Sequence, residues 1–220
     1  MGQGAGEEMK ETPVLMKGEM VRAILDGRKT QTRRVIKPQP EDVGAVKMIQ
    51  LPDQLGDQIH YYFQSNSGKI GLFKPPFIKC PYGRKGDLLW VRETWKTCAI
   101  YDPYSPSQID SGAAVLWVAN GAKRLNGDEN WGRTRSSIHM QKWACRLWLE
   151  LTADPEPLRL QEITRWDIDS EGCPYRCESD DGIPKKQIVW FVDVWESING
   201  PGSWASNSWV WKLEFKRVQK

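Results

Sequence analysis

The sequence predicts an α+β fold in which a small sheet is flanked by short helices and interrupted by long insertions. Three observations predict it. Apolar and polar residues alternate from Trp209 to Lys216, which is the period of a strand with one buried face. Helical spacing of apolar residues is confined to short segments, after Gly18 and after Pro184. Polar stretches near residues 39–80 and 101–137 separate the periodic segments and are typical of insertions.

The first helix and the strand after it are predicted for residues 18–36. Met20, Ile24 and Leu25 have the spacing of a short amphipathic helix, and Gly27 fits its C-terminal stop. The next residues, 31–36, favour a strand that Pro38 closes. The chain therefore turns directly from a helix into a strand between residues 26 and 31.

Two further strands are predicted in the middle of the chain. The turn at residues 86–87 precedes a strand in which Leu89, Val91 and Glu93 share one face. A second strand is predicted over residues 143–151. Residues 39–80 between the early elements have weak periodicity and indicate a loop or a long hairpin.

Two helices are predicted before the terminal strand. Thr164 and Asp167 have the spacing of a capping box, which begins a short helix that Gly172 ends, with Glu171 at its C-terminus. A longer helix begins at Pro184 and ends before residue 200. These helices are expected to lie on the sheet, which residues 209–216 close.

Length and composition indicate one globular domain over residues 11–220. A chain of 220 residues with 40% hydrophobic and 27% charged residues suits one β-rich domain with insertions. We expect no fold for residues 1–10, a tail whose first eight residues are rich in glycine and glutamate. No apolar stretch approaches the length of a membrane span, so a cytoplasmic location and no membrane partner are expected.

Neither a metal nor another cofactor is predicted. Five cysteines without a C-x-x-C pair and only two histidines do not form a zinc or disulfide framework. Cys173 and Cys177 are the nearest pair, and two such thiols are more often free. The sequence does not specify an oligomeric state.

Positive charge is concentrated in residues 22–37, although the net charge is only +3. This run has six basic residues and one acid. Lysine and arginine clusters displayed beside a glycine-containing turn are typical of phosphate or nucleic-acid contacts. Twelve tryptophans are mostly predicted to pack in the core, and the better candidates for stacking on bases are Trp95, Trp131 and Trp204.

The joint between the first helix and its strand resembles the motif of the ASCH family, Gly-x-Lys-x-x-Thr-x-Arg, at residues 27–34. The four matching positions are Gly27, Lys29, Thr32 and Arg34. Residues 85–93, 160–164, 170–172 and 195–200 are also similar, and together they resemble the longer members that phages and prophages encode. The resemblance implies a PUA-like small β-barrel and a location in a bacterial host or phage-infected cell.

The resemblance also implies binding of RNA or a modified nucleoside, with DNA as the alternative nucleic acid. Some small members of the family are amidohydrolases that remove the acetyl group of N4-acetylcytidine, which implies Lys29, Thr32 and Glu171 as catalytic residues here. The implied contacts to substrate or nucleic acid are Gly27, Arg28, Arg33, Arg34 and Glu93. A phage-encoded RNA-binding or protein-interaction module without enzyme activity is the alternative.

Two assignments of the chemistry remain open from the residues alone. Lys29 could take the proton of the Thr32 hydroxyl if burial and the neighbouring arginines lower its pKa. If Lys29 instead contacts Glu171, the lysine stays protonated, and Glu171 becomes the proton carrier while Lys29 stabilises the oxyanion.

Overall fold

The computed structural model describes residues 9–40, 43–50, 59–65, 78–121, 130–175 and 182–220, with only the backbone described for 43–50 and 59–65. In these residues the fold is α+β, as predicted: a mixed six-stranded sheet curls into half of a barrel and carries short helices. Of the tail predicted at residues 1–10, residues 1–8 lie outside the described residues.

The helices and strands are short. The α-helices among the described residues are α1 (Gly18–Leu25), α2 (Arg165–Ser170) and α3 (Lys185–Asn199). The strands are β1 (Glu11–Leu15), β2 (Gln31–Val35), β3 (Val43–Gln50), β4 (Ile59–Ser65), β5 (Leu88–Arg92), β6 (Trp95–Lys96), β7 (Leu116–Trp117), β8 (Trp148–Leu151), β9 (Glu156–Arg159) and β10 (Trp209–Val218).

The long strand β10 organises the sheet, whose order is β1-β5-β8-β10-β2 with β9 also paired to β10. The first half of β10 pairs antiparallel with β2, so that Leu213 lies opposite Thr32 and Trp211 opposite Arg34. Its last residues pair antiparallel with β8. Because the motif residues of β2 are in register with the longest strand, their backbone is fixed by ladder hydrogen bonds.

Both faces of β10 are covered. Trp209, Trp211, Leu213 and Phe215 are buried in the main core against α1 and β5, which confirms the alternation predicted for this strand. Val210 points to the other face and packs in a second core with α2 and α3. Residues of α1 therefore pack on one face of β10 and residues of α3 on the other.

Most predicted elements are confirmed. The strand expected over 143–151 is confined to β8, because residues 142–144 form a 3₁₀ turn. Strand β1, which pairs parallel with β5, was not predicted, and neither were β9 and the short strands β6 and β7. Strands β3 and β4 pair antiparallel in a separate two-stranded sheet, which agrees with the second of the two alternatives for this insertion. None of the described helices has the length and apolar character needed to cross a bilayer.

Candidate functional site

The turn between α1 and β2 brings Lys29 against the end of α2. Gly27 has φ +73°, a left-handed conformation that glycine adopts without strain and that commonly ends helices. The Arg28 and Lys29 amides both donate to the Ala23 carbonyl at 2.9 and 3.0 Å. Lys29 then forms an antiparallel β-bridge with Glu171. The predicted helix stop is therefore confirmed, and it directs the chain toward α2.

A glycine after Glu171 permits this close approach. Gly172 has φ +94°, and a Cβ atom at this position would lie 2.9 Å from the Cβ of Ala23 and 3.0 Å from the Cβ of Lys29. Carbon atoms do not normally approach so closely, so only glycine fits here. Gly172 thus sets the distance between the end of α2 and the lysine of the motif.

The Lys29 ammonium is fully engaged by protein acceptors. Its Nζ lies 2.6 Å from Glu171 Oε2, 2.7 Å from the Gln31 carbonyl oxygen and 3.0 Å from the Glu171 carbonyl oxygen, and its side chain is 0% exposed. Complete burial lowers the pKa of Lys29, and the Glu171 carboxylate acts in the opposite direction. Three acceptors match the three hydrogens of an ammonium, so Lys29 is protonated in this arrangement.

Arg33 extends the ion pair into a network. Its Nη1 lies 3.3 Å from Glu171 Oε1, and its Nη2 lies 3.0 Å from Asp167 Oδ2 in an ion pair that is not aligned as a hydrogen bond. Burial raises the pKa of Asp167, but the Thr164 backbone amide and the Arg33 guanidinium outweigh it, so the pKa lies below its ordinary value. Lys29, Arg33, Glu171 and Asp167 therefore form one internal charge cluster.

Two cavities share Glu171 in their walls. The outer cleft, of about 930 Å³, lies between α1 and α3 and is lined by Arg28, Gly172 and Trp190 among others. The inner pocket, of about 40 Å³, is lined by Thr32, Arg33 and Arg34 and by residues of α3. Residues that line both are Met20, Glu171 and Val194. Lys29 lines neither cavity.

Thr32 and Arg34 present polar groups in the inner pocket. In the described part of the chain the Thr32 hydroxyl has no hydrogen-bond partner, although Thr32 is buried. Arg34 Nη2 donates to the Leu15 carbonyl at 2.5 Å and contacts Met16 Sδ at 3.4 Å. Burial lowers the pKa of Arg34, but a guanidinium remains protonated in proteins. The pocket thus contains an available hydroxyl beside a desolvated cation.

The basic run of residues 22–37 does not form an exposed cationic surface around the cleft. Like Lys29 and Arg33, two further cations of this run already have partners in the protein. Arg28 donates to the Gly172 carbonyl at 2.7 Å and to the Asp26 carboxylate at 3.0 Å, and Arg22 donates to the Ala119 carbonyl. The cleft is lined by three basic residues, Lys17, Arg22 and Arg28, and by four acidic ones, Glu19, Asp26, Glu171 and Asp193. Its wall therefore carries a slight excess of negative charge.

Glu93 lies apart from the residues that surround the two cavities. It is 1% exposed, and its carboxylate accepts two hydrogen bonds from Arg146 at 2.8 and 2.9 Å. The Arg146 guanidinium also lies over the Trp117 ring. The structure thus gives Glu93 a partner inside the protein and brings it to neither cavity, whereas its neighbour Thr94 lines the outer cleft.

The sequence did not identify Trp190 as the tryptophan that lines the outer cleft. Trp95 is 0% exposed in a core cluster, so the prediction that it stacks on bases was wrong. Trp190 lines the cleft instead, on the same face of α3 as Asp193, Val194 and Ser197. That i, i+3, i+4, i+7 spacing could have indicated a second functional face beside the apolar stripe of the helix.

The described residues contain no group of three or more histidines, cysteines or acids arranged to hold a metal. Cys173 is buried, and Cys177 lies outside the residues that the structure describes.

No protein-family model, no curated protein and no solved structure matches the chain.

Proposed function

We propose that the chain is a PUA-like protein of the ASCH type that binds a nucleoside in the outer cleft. One observation carries the proposal. Glu171, held by the Lys29 ammonium at 2.6 Å, lines both a cleft of nucleoside size and the inner pocket that contains Thr32. The curled mixed sheet and the match at residues 27–34 support the PUA-like assignment.

The charges of the cleft favour an uncharged nucleoside over a polyanionic nucleic acid. Phosphate binding requires exposed lysine or arginine side chains, but Arg22 and Arg28 donate to protein carbonyls and Lys17 donates to Ser197. The cleft volume lies within the range of small-molecule sites. Trp190 supplies the aromatic surface against which a base packs.

We predict saturable binding of cytidine or N4-acetylcytidine that changes less than about twofold between 50 and 200 mM salt, measured by calorimetry. A protein making six or more phosphate contacts would lose about 10³-fold or more over that range. Trp190→Ala should weaken nucleoside binding about tenfold, in line with the loss of one stacked base. Trp166→Ala is the matched control, because Trp166 is 66% exposed and lines neither cavity.

Other results would favour the alternatives. Steeply salt-dependent binding of single-stranded RNA or DNA, without binding of nucleosides, would indicate a nucleic-acid site. Absence of binding to nucleosides, RNA and DNA would leave the protein-interaction module as the better hypothesis.

Hydrolysis of an acyl amide is the second candidate function, and the placement of Thr32 and Glu171 around one pocket favours it. We infer that Glu171 takes the hydroxyl proton of Thr32 as the oxygen attacks the carbonyl carbon of the acyl group. The C–N bond then breaks, and the proton passes to the leaving amino group. Water hydrolyses the threonyl ester, which releases the carboxylate and restores the hydroxyl.

Lys29 acts in this scheme by holding Glu171. Its ammonium has three protein acceptors and lines neither cavity, so it is neither a free base nor a direct contact for the oxyanion. Of the two assignments left open by the sequence, this geometry supports Glu171 as the proton carrier, with the oxyanion stabilised by other groups.

We predict that the protein converts N4-acetylcytidine to equal amounts of cytidine and acetate. Rapid-quench measurement should show a burst of cytidine, up to one per protein, if water attack on the threonyl ester limits turnover. The change can be followed by chromatography of cytidine and enzymatic assay of acetate. Absence of both products at high protein concentration would rule out this reaction and leave the binding proposal standing.

A further inference from the structure

Two tryptophans lie side by side on the outer face of the sheet. Strands β5 and β8 pair antiparallel with Trp90 opposite Trp148. Their neighbours Leu89, Val91 and Leu149 are at most 1% exposed in the main core. Because side chains alternate between the two faces of a strand, both tryptophans point away from that core, and each is partly exposed. The two indole rings therefore form one aromatic surface on the face opposite to α1.

Helices α2 and α3 cover only the other end of this face. Val210, at the start of β10, is buried in the second core with residues of both helices. Further along the same face of β10 the side chains of Lys212, Glu214 and Lys216 are 20%, 42% and 58% exposed. The exposed end is the one that pairs with β8, so the sheet is open to solvent beside Trp148.

Cations surround the two indole rings. The Arg92 guanidinium lies 5.3 Å from the centroid of the Trp90 ring. The Nζ atoms of Lys142 and Lys220 lie 5.7 and 4.3 Å from the centroid of the Trp148 ring. Aromatic rings interleaved with lysine and arginine are the combination that binds single-stranded nucleic acids, in which the rings stack on bases and the cations contact phosphates.

The acidic side chains around the rings do not balance these cations. Glu11 pairs with both Lys142 and Lys220, and Glu150 pairs with Lys216. Together with Arg92, four basic side chains thus face two carboxylates. The three lysine side chains are between 44% and 58% exposed, and exposed ion pairs are weak, so the ammonium groups are available to a polyanion.

We propose that the outer face of β5 and β8 binds a single strand of nucleic acid, with bases stacked on Trp90 and Trp148 and phosphates contacted by the surrounding cations. A sheet face with neighbouring aromatic residues is a common platform for unpaired bases. A lysine that lies over the Trp148 ring moves to a phosphate when a base takes its place. Neither tryptophan lines the outer cleft, so this site does not depend on the proposed nucleoside binding.

The direct test is fluorescence anisotropy of a labelled oligouridine of about twelve nucleotides, a length within the usual range of such sites. Binding should saturate and should weaken about 20–50-fold between 50 and 200 mM salt, as expected for three or four phosphate contacts to a single strand. Oligothymidine of the same length should bind similarly, because stacking does not read the 2′-hydroxyl. A duplex should bind at least about tenfold more weakly, since its bases are stacked inside it.

Variants of Trp148 test the stacking. Trp148→Ala should weaken oligouridine binding about tenfold, whereas Trp148→Phe keeps an aromatic face and should stay within about threefold of the unchanged protein. Trp166→Ala is the matched control, because the Arg165 guanidinium lies 4.2 Å from the centroid of the Trp166 ring, a similar cation and ring outside this face. It should leave the affinity unchanged.

Variants of the charged residues test the phosphate contacts and remain informative if Trp148→Ala does not fold. Glu11→Gln removes the carboxylate that holds two lysines and should tighten oligouridine binding about twofold or more. Lys216→Gln should weaken it and should lower the salt dependence by about one phosphate contact.

The results overturn the site if neither single strand binds, which would leave the face to a protein partner, or if a duplex binds as tightly as oligouridine. Equal losses in Trp148→Ala and Trp166→Ala would also overturn it. Trp190→Ala should impair nucleoside binding and leave oligouridine binding unchanged, so the two proposals fail separately. Oligouridine binding that Trp190→Ala abolishes and Trp148→Ala preserves would place the strand in the outer cleft and reject this site.

Discussion

Lys29→Met and Glu171→Gln are each expected to lower the free energy of unfolding by about 3–5 kcal/mol, because each change leaves the other group of a buried ion pair without its partner. The two groups are almost completely buried and lie 2.6 Å apart. In the same variants, turnover of N4-acetylcytidine should fall by about 10³-fold or more, because the carboxylate that carries the proton is lost or displaced. Urea unfolding and product release measure the two effects.

The double variant distinguishes a coupled pair from two independent residues. Its destabilisation should be clearly smaller than the sum of the single effects, since the lysine and glutamate charges are removed together and Arg33 keeps Asp167 as its partner. Its turnover should be little worse than that of either single variant, as for residues that act as one unit. Additive losses of stability, or normal turnover in either single variant, would contradict the proposed role of the pair.

A buried cation elsewhere provides the control. Arg135 is buried in the insertion and donates to the Tyr101 and Tyr104 carbonyls. Arg135→Met should also destabilise the protein, because it removes the hydrogen bonds of a buried guanidinium to these two carbonyls. It should leave kcat of the folded fraction unchanged. A similar loss of kcat in Arg135→Met would show that the effects at Lys29 arise from general loss of structure.

Local patterns in the sequence predicted the elements that carry the site. Gly27 after the apolar residues of α1, the capping box of Thr164 and Asp167, and the alternation in β10 each depend on neighbours within a few residues. The structure confirms these features: the Asp167 amide donates to the Thr164 hydroxyl at 3.2 Å, and the Asp167 carboxylate accepts from the Thr164 amide at 2.9 Å. Such short-range features are visible in a single sequence.

Contacts between distant parts of the chain could not be predicted in this way. The basic run of residues 22–37 indicates charge but not that Lys29 and Arg33 are neutralised by Glu171 and Asp167, about 140 positions later. The alternation in β5 placed Glu93 on the buried face but did not reveal Arg146 as its partner. That Trp195 packs with Val210 in the second core depends on how α3 lies over the sheet, which periodicity alone does not determine.

Gly172→Ala should lower the free energy of unfolding by about 2–5 kcal/mol and should also impair turnover. The φ angle of +94° is unfavourable for any residue with a Cβ atom, by about 1–2 kcal/mol. The added carbon would also lie 2.9 Å from Ala23 Cβ and 3.0 Å from Lys29 Cβ. Neither of these atoms can rotate away, so α1 and α2 must separate, at a cost of about 1–3 kcal/mol.

Gly86→Ala separates the backbone effect from this close contact. Gly86 has a similar φ of +89°, but a Cβ atom there would meet nothing within 4 Å. Gly86→Ala should therefore lower the free energy of unfolding only by the backbone cost of about 1–2 kcal/mol. The excess destabilisation in Gly172→Ala measures the packing of α2 against Lys29. Because that packing holds Glu171 beside Lys29, kcat should fall in Gly172→Ala and not in Gly86→Ala. Equal effects of the two substitutions on stability and kcat would show that the close approach at Gly172 does not position the site.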